Sequence, residues 1–211
     1  SDDITAPDDV QEDADTGFSM SAMCDTQRLH GGERMPEMPE LYTLLEPNVT
    51  WGTTTMVNTL LHAAEEIAWQ IPKSDPVVIG DISHEHGGFM AGHRSHRGGL
   101  DADIGLYWGD AQQYQRGFIT VAPSQLDADT TWTFISAMLD TGNVERILLD
   151  SSLIRMVRKA AIRSGDLSVE EAYQVFPTGH STSPWNQTGV VHHSPGHRHH
   201  MHLRVSCDAD S

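Results

Sequence analysis

The residues best suited to chemistry lie in two short runs. The first is Gly92-His93-Arg94-Ser95-His96-Arg97-Gly98-Gly99-Leu100-Asp101-Ala102-Asp103-Ile104, and the second is His197-Arg198-His199-His200-Met201-His202-Leu203-Arg204. Together they offer imidazoles and carboxylates, the donor set that suits a zinc ion. Side chains alternate between faces in an extended chain, so Asp101 and Asp103 share one face while Leu100, Ala102 and Ile104 share the other. The second run repeats the pattern. His200, His202 and Arg204 point to one side, and Met201, Leu203 and Val205 to the other. Two strands of this kind predict a metal site built on a sheet. A catalytic zinc takes three protein ligands and leaves a position for water, whose pKa it brings to about 7. The three expected ligands are His96, Asp103 and His202: two glycines turn the chain between the first two, and His202 comes from the facing strand. Ser95 carries no serine-nucleophile signature, and no phosphate-cradling glycine loop is present.

These strings also resemble a known family. His-(six residues)-Asp followed by a distant His-x-His is similar to the LAS group of zinc peptidases: lysostaphin-type enzymes, D-Ala-D-Ala carboxypeptidases and the hedgehog signalling domain. The fuller strings, G-H-x-S-H-x-x-G-L-D-x-D-I from Gly92 and H-R-x-H-M-H from His197, resemble the penicillin-insensitive murein endopeptidases. Val78-Ile79-Gly80-Asp81, Val144-Glu145-Arg146-Ile147 and the run from Leu203 to Cys207 look similar too. The resemblance therefore covers roughly Cys24 to Cys207.

It implies the same three ligands, a Zn2+ cofactor and peptidoglycan peptides as substrate, with the D-alanyl–diaminopimelate cross-link as the bond hydrolysed. The mechanism it implies is attack of zinc-activated water on the amide, with zinc and histidine stabilising the tetrahedral oxyanion. Without a serine acyl-enzyme, β-lactams are not expected to inhibit. In the related peptidases, residues matching His197 and His200 are implicated in catalysis. His200 shares the face of His202, where a neutral imidazole can take a proton from the attacking water and return it to the leaving amine. Which of the two is the base stays open.

His93 matches a histidine of the family motif and either bounds the cleft or is a plain core histidine. Asp101 is either the acceptor that fixes a ligand imidazole or half of a salt bridge with Arg94, Arg97 or Arg204. Arg204 either joins that bridge or binds a substrate carboxylate with its planar fork. His192, His193 and His199 read as a His-rich surface loop. Two rival functions remain: a D-Ala-D-Ala carboxypeptidase or dipeptidase of the same group, and a catalytically silent zinc module that binds cell wall or a partner. Against the first, no Glu precedes the His-x-His.

The elements that must position these groups are partly legible. Val57, Leu60, Leu61, Ala64, Ile67 and Ala68 recur at helical spacing, with Thr53 to Thr55 as caps and Pro72 beyond the end. Residues 76–80 read as a buried strand and His84 to Gly88 as a flexible loop. Helix follows over 131–139, stopped by Gly142, then a strand over 144–149 and a helix over 151–164 ended by Gly165. Ser168 and Glu171 form a capping box for a short piece through Val175. Residues 177–199 read as one long loop. The fold class is α+β: a small central antiparallel sheet carrying the zinc site, flanked by helices, LAS- or hedgehog-like by resemblance.

The 211 residues allow one domain, expected over 21–211. Residues 1–16 carry seven acidic and no basic side chains, so 1–20 read as a disordered leader or linker, suited to a spacer behind a membrane anchor lost before Ser1. No apolar run approaches the ~20 residues of a membrane span. A net charge of −17 with two lysines argues against nucleic acid. Cys24 and Cys207 are expected to form one bridge closing the domain, or else to be two buried thiols. The expected location is extracytoplasmic: periplasm, cell envelope or secreted.

Overall fold

The computed structural model describes residues 26–108, 117–176 and 188–207. The acidic leader, Cys24 and the polar stretch around Gln112 to Gln115 lie outside them, and so does the Cys24 half of the expected bridge.

The described residues form a mixed α+β fold with helices α1 (Thr54–Gln70), α2 (Ala128–Asp140), α3 (Ser151–Ser164) and α4 (Ala172–Val175). A small ribbon pairs β1 (Glu33–Arg34) with β3 (Trp51–Gly52). The main sheet has six strands: β2 (Tyr42–Leu44), β4 (Val77–Ile79), β5 (Asp101–Ile104), β6 (Val144–Leu149), β7 (Val191–His193) and β8 (Met201–Val205). Their order across the sheet is β2-β4-β5-β8-β6-β7. The sheet is larger than the sequence suggested and is not purely antiparallel. Its centre, β4-β5-β8-β6, is antiparallel, whereas the edge pairs β2·β4 and β6·β7 are parallel. Each edge pair needs a crossover, and these are supplied by α1 and by α3 with α4.

Local chemistry accounts for the helices. Thr53 caps α1, its hydroxyl accepting from the Met56 N–H, and the helix buries Met56, Val57, Leu60, Ala63, Ala64 and Ile67. Helix α2 starts three residues earlier than its apolar pattern indicates, because the Asp127 carboxylate accepts from the Thr130 N–H and hydroxyl. Asp150 caps α3 in the same way through Ser152, and Gly165 closes it at φ +86°. Ser168 and Glu171 make the reciprocal capping pair ahead of α4.

The apolar sides of these helices meet Ala102, Ile104, Met201, Leu203 and Val205 in one core. Core burial therefore uses one set of alternate residues in β5 and β8. The other set, with Asp101, Asp103, His202 and Arg204, is left to line a cleft.

Two readings need correction. Residues 191–193 are a strand rather than loop, and His192 is buried, with its Nε2 donating to the Gly189 carbonyl. His193 is no loop ornament either: its Nδ1 accepts from the Ser151 N–H at the start of α3. His199 is half-buried and stacks on Phe118.

Candidate metal centre

Strand pairing sets the site. In the β5·β8 register Asp103 faces His202 and Asp101 faces Arg204, so the two carboxylates and their partners are cross-strand neighbours. His96 arrives from the turn before β5. Gly99 makes that turn at φ +69°, and a Cβ there would stand 3.0 Å from both the Gly52 Cα and the Thr53 nitrogen. The segment is thereby pressed against the start of α1, and Thr53 N–H donates to the Gly99 carbonyl.

Three donor atoms converge. His96 Nε2 lies 3.3 Å from Asp103 Oδ1 and 3.2 Å from His202 Nδ1, and His202 Nδ1 lies 2.9 Å from the same Asp103 oxygen. Ligands of a tetrahedral zinc at about 2.0–2.1 Å sit about 3.3 Å from one another, so the triangle has the dimensions of a zinc face. His93 also contributes: one ligand atom from each of His93, His96 and Asp103 lies within 4.8 Å of the others. The donor set of imidazole nitrogens and a carboxylate oxygen suits zinc among other divalent ions.

The surroundings fix these donors. His202 Nε2 lies 2.9 Å from Asp101 Oδ1, and Asp101 Oδ2 accepts from Arg204 Nη1 at 2.7 Å. Arg204 Nε donates to Glu145 at 3.2 Å. Asp101 thus meets an imidazole and an arginine together. Arg94 and Arg97 are not its partners among the bonds seen, and Arg97 donates to Gln27 instead. His93 Nε2 lies 2.9 Å from Asp81 Oδ2 and its Nδ1 3.6 Å from Asp103. His200 Nε2 stands 3.5 Å from Asp103 Oδ1, and the His197 ring is centred 4.8 Å from that of His200.

The electrostatics follow from this crowding. Burial alone would raise the Asp103 carboxyl, but hydrogen bonds from His202 and His96 hold it far below the usual carboxylate range. Burial opposes charge on His202, yet the contacts with Asp101 and Asp103 push the metal-free imidazole up to about 9. Burial pushes His200 down to about 3, helped by His197, His199 and His202 against Asp103. His197 is lowered too, mainly by burial.

All eight residues singled out in the sequence line or adjoin one cleft of about 390 Å³. Four further participants escaped notice: Asp81 behind His93, Glu145 behind Arg204, and Arg146 and Leu148 in the cleft wall. Asp81, Glu145 and Arg146 fall within strings that carry the family resemblance, which was the available signal.

Residues 23–164 match the family model described as penicillin-insensitive murein endopeptidase. The match takes in His93, His96, Asp101 and Asp103 and ends before β8. Curated proteins of that name are similar to the chain, among them three from different genera. The one from Haemophilus influenzae is 26% identical over 198 residues, covering 86% of this chain and 61% of that protein. Those from Yersinia enterocolitica and Salmonella arizonae are each 30% identical, over 143 and 149 residues, covering 64% of this chain and 46% and 47% of their own lengths. The chain spans about half to three-fifths of the curated relatives it matches.

Proposed function

The chain belongs to the penicillin-insensitive murein endopeptidase family, and on that premise we propose that it is a zinc endopeptidase acting on peptidoglycan outside the cytoplasm. The bond hydrolysed is the D-alanyl–diaminopimelate cross-link, and β-lactams do not inhibit. The observation that carries the reading is the triangle of His96 Nε2, Asp103 Oδ1 and His202 Nδ1, with the His200 imidazole beside it.

His96, Asp103 and His202 would hold the ion. Bound there, zinc supplies a Lewis acid for the amide carbonyl and an acidified water. His200 is half-buried beside the triangle and neutral near pH 7, and its place there suits its imidazole to accept the proton of the attacking water and deliver it to the leaving amine. His197, against the His200 ring, shares the proton or donates toward the developing oxyanion. Asp101 accepts from His202 Nε2 and leaves Nδ1 as the donor to the ion. His93, held by Asp81, bounds the cleft and orients the water.

The antiparallel centre with its ligands on one face supports a LAS- or hedgehog-like fold. Residues 21–211 act as one metallopeptidase domain behind an acidic leader over 1–20. In an oxidising compartment Cys24 and Cys207 are bridged.

The test is a His200→Ala variant with its zinc content measured beside its cleavage of muropeptide dimers. Zinc retained with kcat lower by about 10²–10⁴ is expected. Full activity in that variant would remove His200 from the chemistry.

A further inference from the structure

The cleft wall carries an arginine that the metal chemistry does not use. Arg146 on β6 pairs with Arg204 on β8, two residues along from Leu148, which faces His202. Its place depends on an irregularity. Pairing runs in step from Leu148 to Arg146, but Val144 then meets Val205, so Glu145 is the extra residue of a bulge. A bulge re-aims side chains and is common beside functional sites. Here it lets two consecutive residues serve one face. Glu145 reaches Arg204 while Arg146 lines the cleft.

Arg204 spans Asp101 at 2.7 Å and Glu145 at 3.2 Å, so its fork is committed to the carboxylate that holds His202. Arg146 meets Glu145 at 3.6 Å among other contacts, and its side chain is 17% exposed. That makes it a partly desolvated cation in the cleft wall, where a charge-assisted contact is strong. Composition does not explain it. The chain has a net charge of −17, yet its cleft gathers Arg94, Arg146 and Arg204 against Asp101 and Asp103.

We propose that Arg146 is a specificity residue that binds a free carboxylate of the substrate beside the scissile amide. The inference rests on the endopeptidase reading above and deepens it. Arg146 stands two residues, about 7 Å, along β6 from Leu148 and one strand spacing, about 5 Å, across from β8, a gap that an arginine side chain and one carboxylate bridge between them. An amide carbonyl held at the metal donors would therefore bring a carboxylate on the carbon bonded to the scissile nitrogen within reach of the Arg146 fork. Its planar donors match a carboxylate in two parallel bonds, which a lysine cannot copy. The substrate class is a cross-link whose amine-side residue keeps that carboxyl group free rather than amidated.

The experiment compares kcat/KM on two synthetic muropeptide dimers that differ only in whether this group is a carboxylate or a carboxamide. Wild type, Arg146→Gln and Arg146→Lys are assayed, each with its zinc content measured. Wild type is expected to favour the carboxylate dimer by about 10- to 100-fold. The ratio should fall to near one in Arg146→Gln and stay intermediate in Arg146→Lys. Equal rates on both dimers in wild type, or an undiminished ratio in Arg146→Gln, overturns the proposal while leaving the endopeptidase reading intact. Zinc-loaded wild type that cleaves neither dimer overturns both.

Discussion

Asp101 is a buried carboxylate that ties two cleft residues together. It is 1% exposed, with one oxygen on His202 Nε2 and the other on Arg204 Nη1. A carboxylate behind a ligand imidazole fixes its tautomer and orientation, and losing it typically costs 10–100-fold in metal affinity. Asp101→Ala is therefore expected to weaken zinc binding by about that factor in a competition against a chelator. Unchanged affinity would show that His202 needs no such support. The same contacts raise His202 to about 9, so it carries a proton at pH 7 that a metal ion bound at this imidazole would displace. Zinc binding at pH 7 should release about one proton from this histidine, and affinity should rise with pH up to about 9. Calorimetry in buffers of different ionisation enthalpy measures it, and zero release would contradict the assignment.

Among elements, α3 is the one whose start touches the site's scaffold from two directions. Asp150 caps it through Ser152, while His193 of β7 accepts from Ser151. Burial opposes, but hydrogen bonds from Ser152 win and lower the Asp150 carboxyl. Its folded value lies below the unfolded one, so the contribution is present above the unfolded pKa and lost as pH falls through the folded one. Asp150→Ala should cost about 1 kcal/mol of unfolding free energy at pH 7. The gap from wild type should shrink below about pH 4 in denaturant titrations. A gap that persists in acid would mean the cap is not acting through its charge.

The elements also show what could be read in advance. Strands β5 and β8 were legible because a clean two-residue alternation separates core residues from the polar ones that line the cleft, and α3 because its closing glycine ends a helical pattern. Strand β7 was not, since Val190 and Val191 stand between Gly189 and a polar histidine pair with too little pattern to count. The parallel edges were equally invisible, because which strands become neighbours is decided by crossovers and not by local sequence. Asp81, Glu145 and Arg146 were missed as participants for the same reason: each is a lone charge until register brings it to the cleft.

For the molecule as a whole, one face of the sheet makes the core and the other lines the cleft. The division follows from alternation across β5 and β8, with β6 extending both faces through Ile147 and Leu149 inward and Arg146 and Leu148 toward the cleft. A −17 chain thus places three of its arginines, Arg94, Arg146 and Arg204, in the cleft. Among the described residues no helix is long and apolar enough to cross a membrane.

The most direct measurement is zinc content and digestion of cross-linked muropeptides on the same purified sample. The account predicts about one zinc per chain, with dimers converted to monomers, cleavage abolished by a chelator and unaffected by penicillin. Release of terminal D-alanine with dimers left intact would contradict it, and so would zinc bound without any cleavage.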